Sequence, residues 1–270
     1  MKNTMVTISC GMGNQLFQYA FGYSMSRRRA SKLNFYRVNG GEHRPYVLDM
    51  YGIFPDREII EDKITLFDKA HLKFYRRIEE KSAFEYDDAY YDLKSKNIFY
   101  NGYWQSFRYF YEYDNEIKEN LKYHGTKSEK FKAYMNNLKE NTISVHVRRG
   151  DYINDNDNLS IETDYYKEAY VRMNGIITDA AEYLIFSDDK EYVKEALGFI
   201  KNAHVVEGVS DVEEFELMRA CSHHIIANST FSWWAAHLSS NKEGIVFAPC
   251  VHNWKEEFYP PEWYVLKASI

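Results

Sequence analysis

Four groups of polar and charged residues stand where apolar runs end, and each implies a chemistry. His146-Val147-Arg148-Arg149-Gly150-Asp151 places two arginines and an aspartate directly after the run Ile143 to Val147. Guanidinium forks match phosphate oxygens two at a time. The adjacent pair therefore reads as an anion site, against the plainer reading of an Arg–Asp salt bridge that holds the loop. Ser187-Asp188-Asp189 follows Tyr183 to Phe186. Its carboxylates are adjacent and diverge, which argues against shared metal coordination. Asp188 suits orientation of a ribose or an arginine, and Asp189 suits capping of the next helix. Asn228-Ser229-Thr230-Phe231-Ser232-Trp233-Trp234 follows His224 to Ala227 and opens a helix, where hydroxyls and backbone N–H groups meet the positive end of a helix dipole. That geometry suits a pyrophosphate; ordinary capping over core tryptophans is the alternative. Gly11-Met12-Gly13-Asn14-Gln15 lacks the third glycine of a G-x-G-x-x-G fingerprint, since Leu16 stands there, and no acidic residue follows at the ribose-binding spacing. It reads as a structural turn, or as a helix N-terminus where Asn14 and Gln15 amides meet a phosphate or a sugar hydroxyl.

The elements that must position these groups follow from periodicity. Met5 to Cys10 reads as a buried strand leading into a helix that carries Leu16, Tyr19, Ala20 and Tyr23. From Leu33 to Tyr123 the pattern is irregular, with aromatics crowded between Phe84 and Tyr113, and predicts insertions around a small sheet. A lysine-rich helical stretch between Tyr123 and Asn141 leads to a domain seam. Beyond it, strands at Ile143 to Val147, Tyr183 to Phe186, His204 to Val206, His224 to Ala227 and Ile245 to Ala248 alternate with helices at Tyr165 to Met173, Tyr192 to Phe199, Val212 to Cys221 and Phe231 to Leu238. This is the signature of an open parallel sheet. Ser210-Asp211-Val212-Glu213 is a capping-box pattern that marks one helix start. Ligands bind such sheets at the carboxyl ends of strands. Three phosphate-type groups at three strand ends accordingly point to a nucleotide with two phosphates.

The 270 residues allow one large α/β domain or two smaller ones. A net charge of −6 provides no global basic field for nonspecific nucleic-acid binding, so any anionic ligand must meet a local arginine site. Three widely spaced cysteines without a CxxC fit core thiols in a reducing compartment and no structural zinc. No apolar run reaches the roughly 20 residues of a membrane span. Cytoplasmic location is expected, with peripheral association at the inner membrane face also compatible. Twenty-four tyrosines help bring aromatics to 17% of the chain, side chains that pair a flat apolar face with a polar edge, as saccharide and base recognition require.

The blocks Gly11 to Ala20, Gly102 to Ser106, His146 to Tyr152, Phe186 to Asp189 and Ile225 to Trp234 together resemble the bacterial α-1,2-fucosyltransferases of glycosyltransferase family eleven. The resemblance implies an α/β, GT-B-like fold of two Rossmann-like domains facing a cleft: residues 1–140 on the acceptor side and residues 141–270 binding the GDP-sugar. It implies a galactoside α-1,2-fucosyltransferase that inverts the anomeric centre of GDP-β-L-fucose at the 2-hydroxyl of a terminal galactose, in surface or secreted glycan synthesis. No cofactor or obligatory metal is implied, and the partners are the donor and a galactose-terminated glycan, with no nucleic acid.

Carried over position by position, Arg148 and Arg149 match the arginines of the H-x-R-R-G-D motif that clamps the pyrophosphate, and Ser229 to Ser232 match the phosphate-contacting turn. Asn14 matches the glycine-turn asparagine. Glu214 stands near the position that reads guanine, with Glu213 as the alternative. The candidate donor-binding set is Asn14, Gln15, His146, Arg148, Arg149, Asp188, Glu214, Asn228, Ser229, Thr230 and Ser232. The candidate catalytic set is Arg148, Arg149 and Asp151. As a general base, Asp151 competes with Asp155, Asp157 and Glu162, because its place beside guanidinium groups suits a salt bridge better than proton abstraction. Gly102 to Gln105 lines an acceptor cleft or belongs to the core. A GT-B transferase with another donor or linkage, and a nucleotide- or glycan-binding module without turnover, are the competing functions.

Overall fold

The computed structural model describes residues 1–39, 44–153, 159–177, 181–252 and 254–270. It divides into two compact units, Met1–Gly125 and Thr126–Ile270.

The first unit holds β1 (Lys2–Ile8), α1 (Met12–Arg29), β2 (Ser31–Arg37), β3 (Arg57–Ile60), α2 (Leu66–Leu72), β4 (Arg76–Glu79), β5 (Asn97–Asn101) and α3 (Asp114–Asn120). Its five strands are all parallel, in the order β3-β2-β1-β5-β4. The irregular stretch after Leu33 thus contains β3, β4 and β5 and most of β2, and those three are short strands whose hydrophobic runs are too brief to announce themselves. α1 lays Leu16, Phe17, Ala20, Phe21 and Met25 into the core. Gly22 is required by that packing, since a Cβ there would lie 2.6 Å from Val6 Cγ1. Arg27, Arg28 and Arg29 fill the last turn of α1, where the dipole favours positive charge.

The second unit holds α4 (Glu129–Asn137), β6 (Thr142–Val147), α5 (Gly150–Ile153), α6 (Thr163–Ile176), β7 (Glu182–Ser187), α7 (Lys190–Ala196), β8 (Ala203–Val205), α8 (Asp211–Ala220), β9 (His223–Ile225), α9 (Thr230–His237), β10 (Val246–Cys250) and β11 (Tyr264–Lys267). Its six strands are parallel in the order β11-β10-β9-β6-β7-β8. Counted from β6, that is the doubly wound order 3-2-1-4-5-6 reversed end for end, with its switch point between β6 and β9. Every residue of β6 is buried, as a central parallel strand covered on both faces must be. The core beneath it joins Ile143, Val145, Val147, Tyr165, Ala169, Met173, Ile185 and Phe247. The Tyr165 hydroxyl is buried and satisfied, donating toward the carbonyls of Ile226 and Phe247 at 2.8 and 3.0 Å.

The seam lies at 125/126, ahead of the residue 140 expected from the lysine-rich stretch. The reason is α4: Phe131 is buried, and Ser128, its N-cap, donates its backbone N–H to Glu213 Oε1 on α8 at 2.6 Å. That stretch therefore packs with the second sheet.

Candidate active site

The pairing register sets the site. Val147 pairs with Ser187, so the residues that leave β6 and β7 together are Arg148 and Asp188. Arg148 Nη1 lies 2.8 Å from Asp188 Oδ2, and Arg148 Nη2 donates to Asp151 Oδ1 at 2.7 Å. The second Asp188 oxygen accepts the Arg149 backbone N–H at 2.9 Å. Arg149 Nε donates to Asp189 Oδ2 at 3.2 Å, and its guanidinium sits 3.4 Å from the centre of the Tyr192 ring. These bonds fix both guanidinium planes yet leave N–H donors on each with no partner among the described residues. The salt-bridge reading of this motif is thereby realised: Asp151, Asp188 and Asp189 hold both arginines, which keep spare N–H donors beside the strand exit.

The exit of β9 lies across the switch point. Tyr152, on α5, donates its hydroxyl to the Asn228 carbonyl at 3.0 Å and so ties the two strand exits together. Asn228 donates its amide to the Leu159 carbonyl at 2.9 Å, while its Oδ1 is buried without a partner among the described residues. Ser229 is the N-cap of α9 and its hydroxyl makes no capping bond, so neither Asn228 nor Ser229 caps through its side chain. Thr230 opens the helix. Ser232 departs from expectation: it is fully buried and its hydroxyl donates back to the Ser229 carbonyl at 3.3 Å, an internal helix bond. His146 is buried, its ring 5.8 Å from that of Phe231, and its Nδ1 has no partner among the described residues. Burial pushes its pKa down to about 3, so it is neutral at physiological pH and offers dipoles rather than charge.

The next strand-to-helix turn resolves two further candidates. Asp189 accepts the Tyr192 backbone N–H at 3.1 Å and caps α7, as one of its readings required. Glu213 is not free for a base: Oε2 accepts from the Ser210 N–H and hydroxyl in the capping box, and Oε1 accepts from Ser128. Glu214 remains, enclosed enough that burial raises its pKa, with Oε1 bound to Lys190 Nζ at 2.7 Å. Lys190 also donates to the Val206 carbonyl at 2.6 Å.

The glycine turn belongs to the first unit, at the matching switch point between β1 and β5. Gln15 is corrected to a structural residue, because its amide donates to the carbonyls of Cys10 and Pro45 while its oxygen accepts the Val47 N–H. Asn14 Oδ1 accepts from Gln105 at 2.7 Å, which joins two blocks distant in sequence. Of the two readings of Gly102 to Gln105, Trp104 takes the core one: it is fully buried and stacks on Phe21 with ring centres 4.0 Å apart. Its neighbour Tyr103 is exposed.

Asp155 and Asp157 lie outside the described residues. Glu162 is the N-cap residue of α6, donating its N–H to the Ser269 carbonyl at 3.0 Å. Sequence reading missed Lys190, Tyr192, Gly150 and Glu80. Asp189 as a cap gave a signal for Tyr192, because the third residue after an N-cap is the one whose N–H the cap accepts. Glu80 had none: its carboxylate, just past β4, accepts the N–H groups of Tyr103 and Trp104 at 2.6 and 2.9 Å.

The profile of Glycosyl transferase family 11 matches residues 70–267. An alpha-1,2-colitosyltransferase of Escherichia coli is 27% identical, over 95% of this chain and 94% of its own. A galactoside 2-alpha-L-fucosyltransferase of Caenorhabditis elegans is 24% identical, over 98% and 80% respectively. Among solved structures, the alpha-1,6-fucosyltransferase NodZ of Bradyrhizobium, soaked with GDP-fucose, superposes with a TM-score of 0.52 at 13% identity, covering 88% of this chain and 92% of that one. At that identity the likeness is one of fold, and it makes the two Rossmann-like units GT-B-like. With the motif blocks on their strand ends and a profile match over most of its length, this chain belongs to glycosyl transferase family 11.

Proposed function

We propose that this chain transfers L-fucose from GDP-β-L-fucose to the 2-hydroxyl of a terminal galactose, with inversion. The observation that carries the reading is the arginine pair, aimed by Asp188, Asp189 and Asp151 at the switch point of a doubly wound unit. A departing GDP gathers charge on its β-phosphate as the fucose ring takes on oxocarbenium character. Spare guanidinium N–H groups and the N-terminus of α9 meet that charge without reorganising. The proposal places leaving-group stabilisation on this chain's own residues and requires no metal. His146, neutral, and the unpartnered Asn228 Oδ1 belong to the same strand ends; Glu214 is assigned to the base, where a carboxylate accepts from guanine N1–H and the exocyclic amine. Asn14 enters as a donor-side contact, and the first unit as the acceptor-binding side of the molecule. Galactose-terminated glycans at the cell surface are the acceptor class.

Release of GDP from GDP-fucose, with and without galactose-terminated acceptors and with GDP-mannose as control, tests the activity. Arg148→Ala is expected to lower kcat by about 10²- to 10³-fold, roughly 2.7 to 4 kcal/mol. Transfer at the wild-type rate in that variant would remove the arginine from the mechanism. Asp151 is proposed to aim Arg148, so Asp151→Asn keeps the acidic limb of the pH–rate profile; loss of the limb would make Asp151 the base.

The colitosyltransferase relative supports a second reading for the donor alone. Colitose is L-fucose without its 3-hydroxyl. A site that hydrogen-bonds that hydroxyl would reject the deoxy donor by about 10⁴-fold or more, so the ratio of kcat/KM for the two GDP-sugars separates the readings.

A further inference from the structure

Two charged side chains of the second unit meet past the ends of β7 and β8. Lys190 is the first residue of α7, directly after Asp188 and Asp189, and Glu214 stands in the first turn of α8. Lys190 Nζ donates to Glu214 Oε1 at 2.7 Å and to the Val206 carbonyl at 2.6 Å. Val206 extends β8, since its N–H donates to the Ile185 carbonyl of β7 at 2.9 Å. Both side chains are thus held at the carboxyl edge of the sheet, on the side of the switch point where β6, β7 and β8 lie.

Neither group is exhausted by these bonds. An ammonium carries three N–H groups, and Lys190 uses two of them on described residues. Glu214 Oε2 has no hydrogen-bond partner among the described residues, and Oε1 accepts one bond of the two it can take. The pair is not sealed in the core, for the lysine side chain is 31% exposed and the glutamate 16%. Burial is the largest cause that raises the Glu214 carboxyl, the charges of Asp211 and Asp188 add to it, and Lys190 opposes them. Lys190 therefore favours the ionised glutamate, whose two oxygens both accept. The contribution of Asp188 places the pair beside the arginine cluster.

Guanine presents three hydrogen-bonding groups in a row on one edge: the exocyclic amine and N1–H, both donors, then O6, an acceptor. We propose, on the reading that GDP-fucose is the donor and Glu214 meets its base, that Lys190 donates to guanine O6 and so completes a three-point reading of the nucleobase. Glu214 Oε2 takes the amine and Oε1 takes N1–H. The ammonium already bonded to Oε1 stands next in the row, with its third N–H for O6. Adenine reverses the last two groups, setting an amine against the ammonium and a bare N1 against the carboxylate, so the pair rejects it. An ion pair that only ties α7 to α8 makes the same bonds to protein. The two roles therefore separate on nucleotide discrimination and not on stability.

Calorimetric titration of the full chain with GDP, inosine diphosphate and 6-thioguanosine diphosphate tests the assignment. Inosine lacks only the exocyclic amine, and 6-thioguanine exchanges O6 for sulfur, a poorer acceptor. Wild type is expected to bind GDP about tenfold more tightly than the thio analogue, roughly 1.4 kcal/mol. In Lys190→Met that ratio is expected to fall to about one, whereas the preference for GDP over inosine diphosphate, which Glu214 sets, persists. Each ratio is taken within one variant, so a general loosening of α7 moves both ligands alike and leaves the ratio unchanged. A wild-type GDP-to-thio ratio of about one, or a ratio that Lys190→Met leaves at its wild-type value, overturns the role of Lys190 and leaves the donor reading standing. Collapse of both preferences together in Lys190→Met would make the lysine an aligner of Glu214 and overturn it as the reader of O6. A wild-type chain that binds none of the three nucleotides overturns the donor reading, and this assignment with it.

Discussion

Both oxygens of Asp188 are committed, one to the Arg148 guanidinium and one to the Arg149 backbone, and Gly150 lets the carboxylate come that close. A Cβ at Gly150 would lie 2.7 Å from Asp188 Oδ2, so the methyl of Gly150→Ala must push the carboxylate off Arg148. GDP affinity is expected to fall about tenfold, roughly 1.4 kcal/mol, by calorimetry, with the unfolding midpoint little changed. Glu80 is a second single-residue device. It holds the N–H of Trp104, whose φ of 58° is in the left-handed region and costs a non-glycine residue energy. Burial raises the Glu80 carboxyl to about 7. A folded value above the unfolded one means that the folded chain binds more protons between about pH 4.5 and 7, so stability from this group is highest at the acid end and falls as pH rises through that window. The loss is expected to be of order 2 kcal/mol, less than the full 1.36 kcal/mol per unit because the carboxyl is only partly enclosed. Urea unfolding across that range is expected to show this slope in the wild type and to lose it in Glu80→Gln.

At the scale of elements, a single turn of chain decides between binding and packing. Gly102 to Gln105 sits at the exit of β5, where ligand contacts are expected, yet it divides its residues: Tyr103 outward, Trp104 into the core against Phe21, Tyr90 and Tyr100. Trp104→Ala is therefore expected to cost about 3 to 5 kcal/mol of stability in denaturant unfolding, the range for large buried aromatics, instead of raising the acceptor KM of a folded enzyme. The strand exits of the second unit divide in the same way. Their alternation of buried strand and amphipathic helix was legible, and so was the Ser210 capping box. β11 and the short strands of the first sheet were not, because four or five residues under a helix carry too little periodicity to separate them from loop.

For the molecule as a whole, each of the two parallel sheets has its own switch point, and in the second unit an arginine pair stands beside it. The basic pair in the second unit is held by Asp151, Asp188 and Asp189. If GDP binds as proposed, hydrogen exchange is expected to slow at Arg148 to Ile153 and at Asn228 to Ser232, and to stay unchanged across α2. At a ligand concentration about 100-fold above Kd, mass action adds roughly 2.7 kcal/mol to the stability of the bound unit. Protection confined to the first unit would place the nucleotide elsewhere.

The sequence by itself determined the family, the parallel α/β character of the second half and the positions of the three strand-end groups, because each is written in a short contiguous run: an apolar stretch, then the residues that leave it. Only the tertiary structure decided what those residues do with one another. Asp188 meets Arg148 through the register of β6 with β7, Glu213 is withdrawn by Ser128 from a helix 85 positions away, and Glu80 reaches Trp104 across 24. Contacts made across a sheet or between helices leave no periodic trace in the chain, so spacing alone separated neither Glu214 from Glu213 nor the buried Trp104 from the exposed Tyr103.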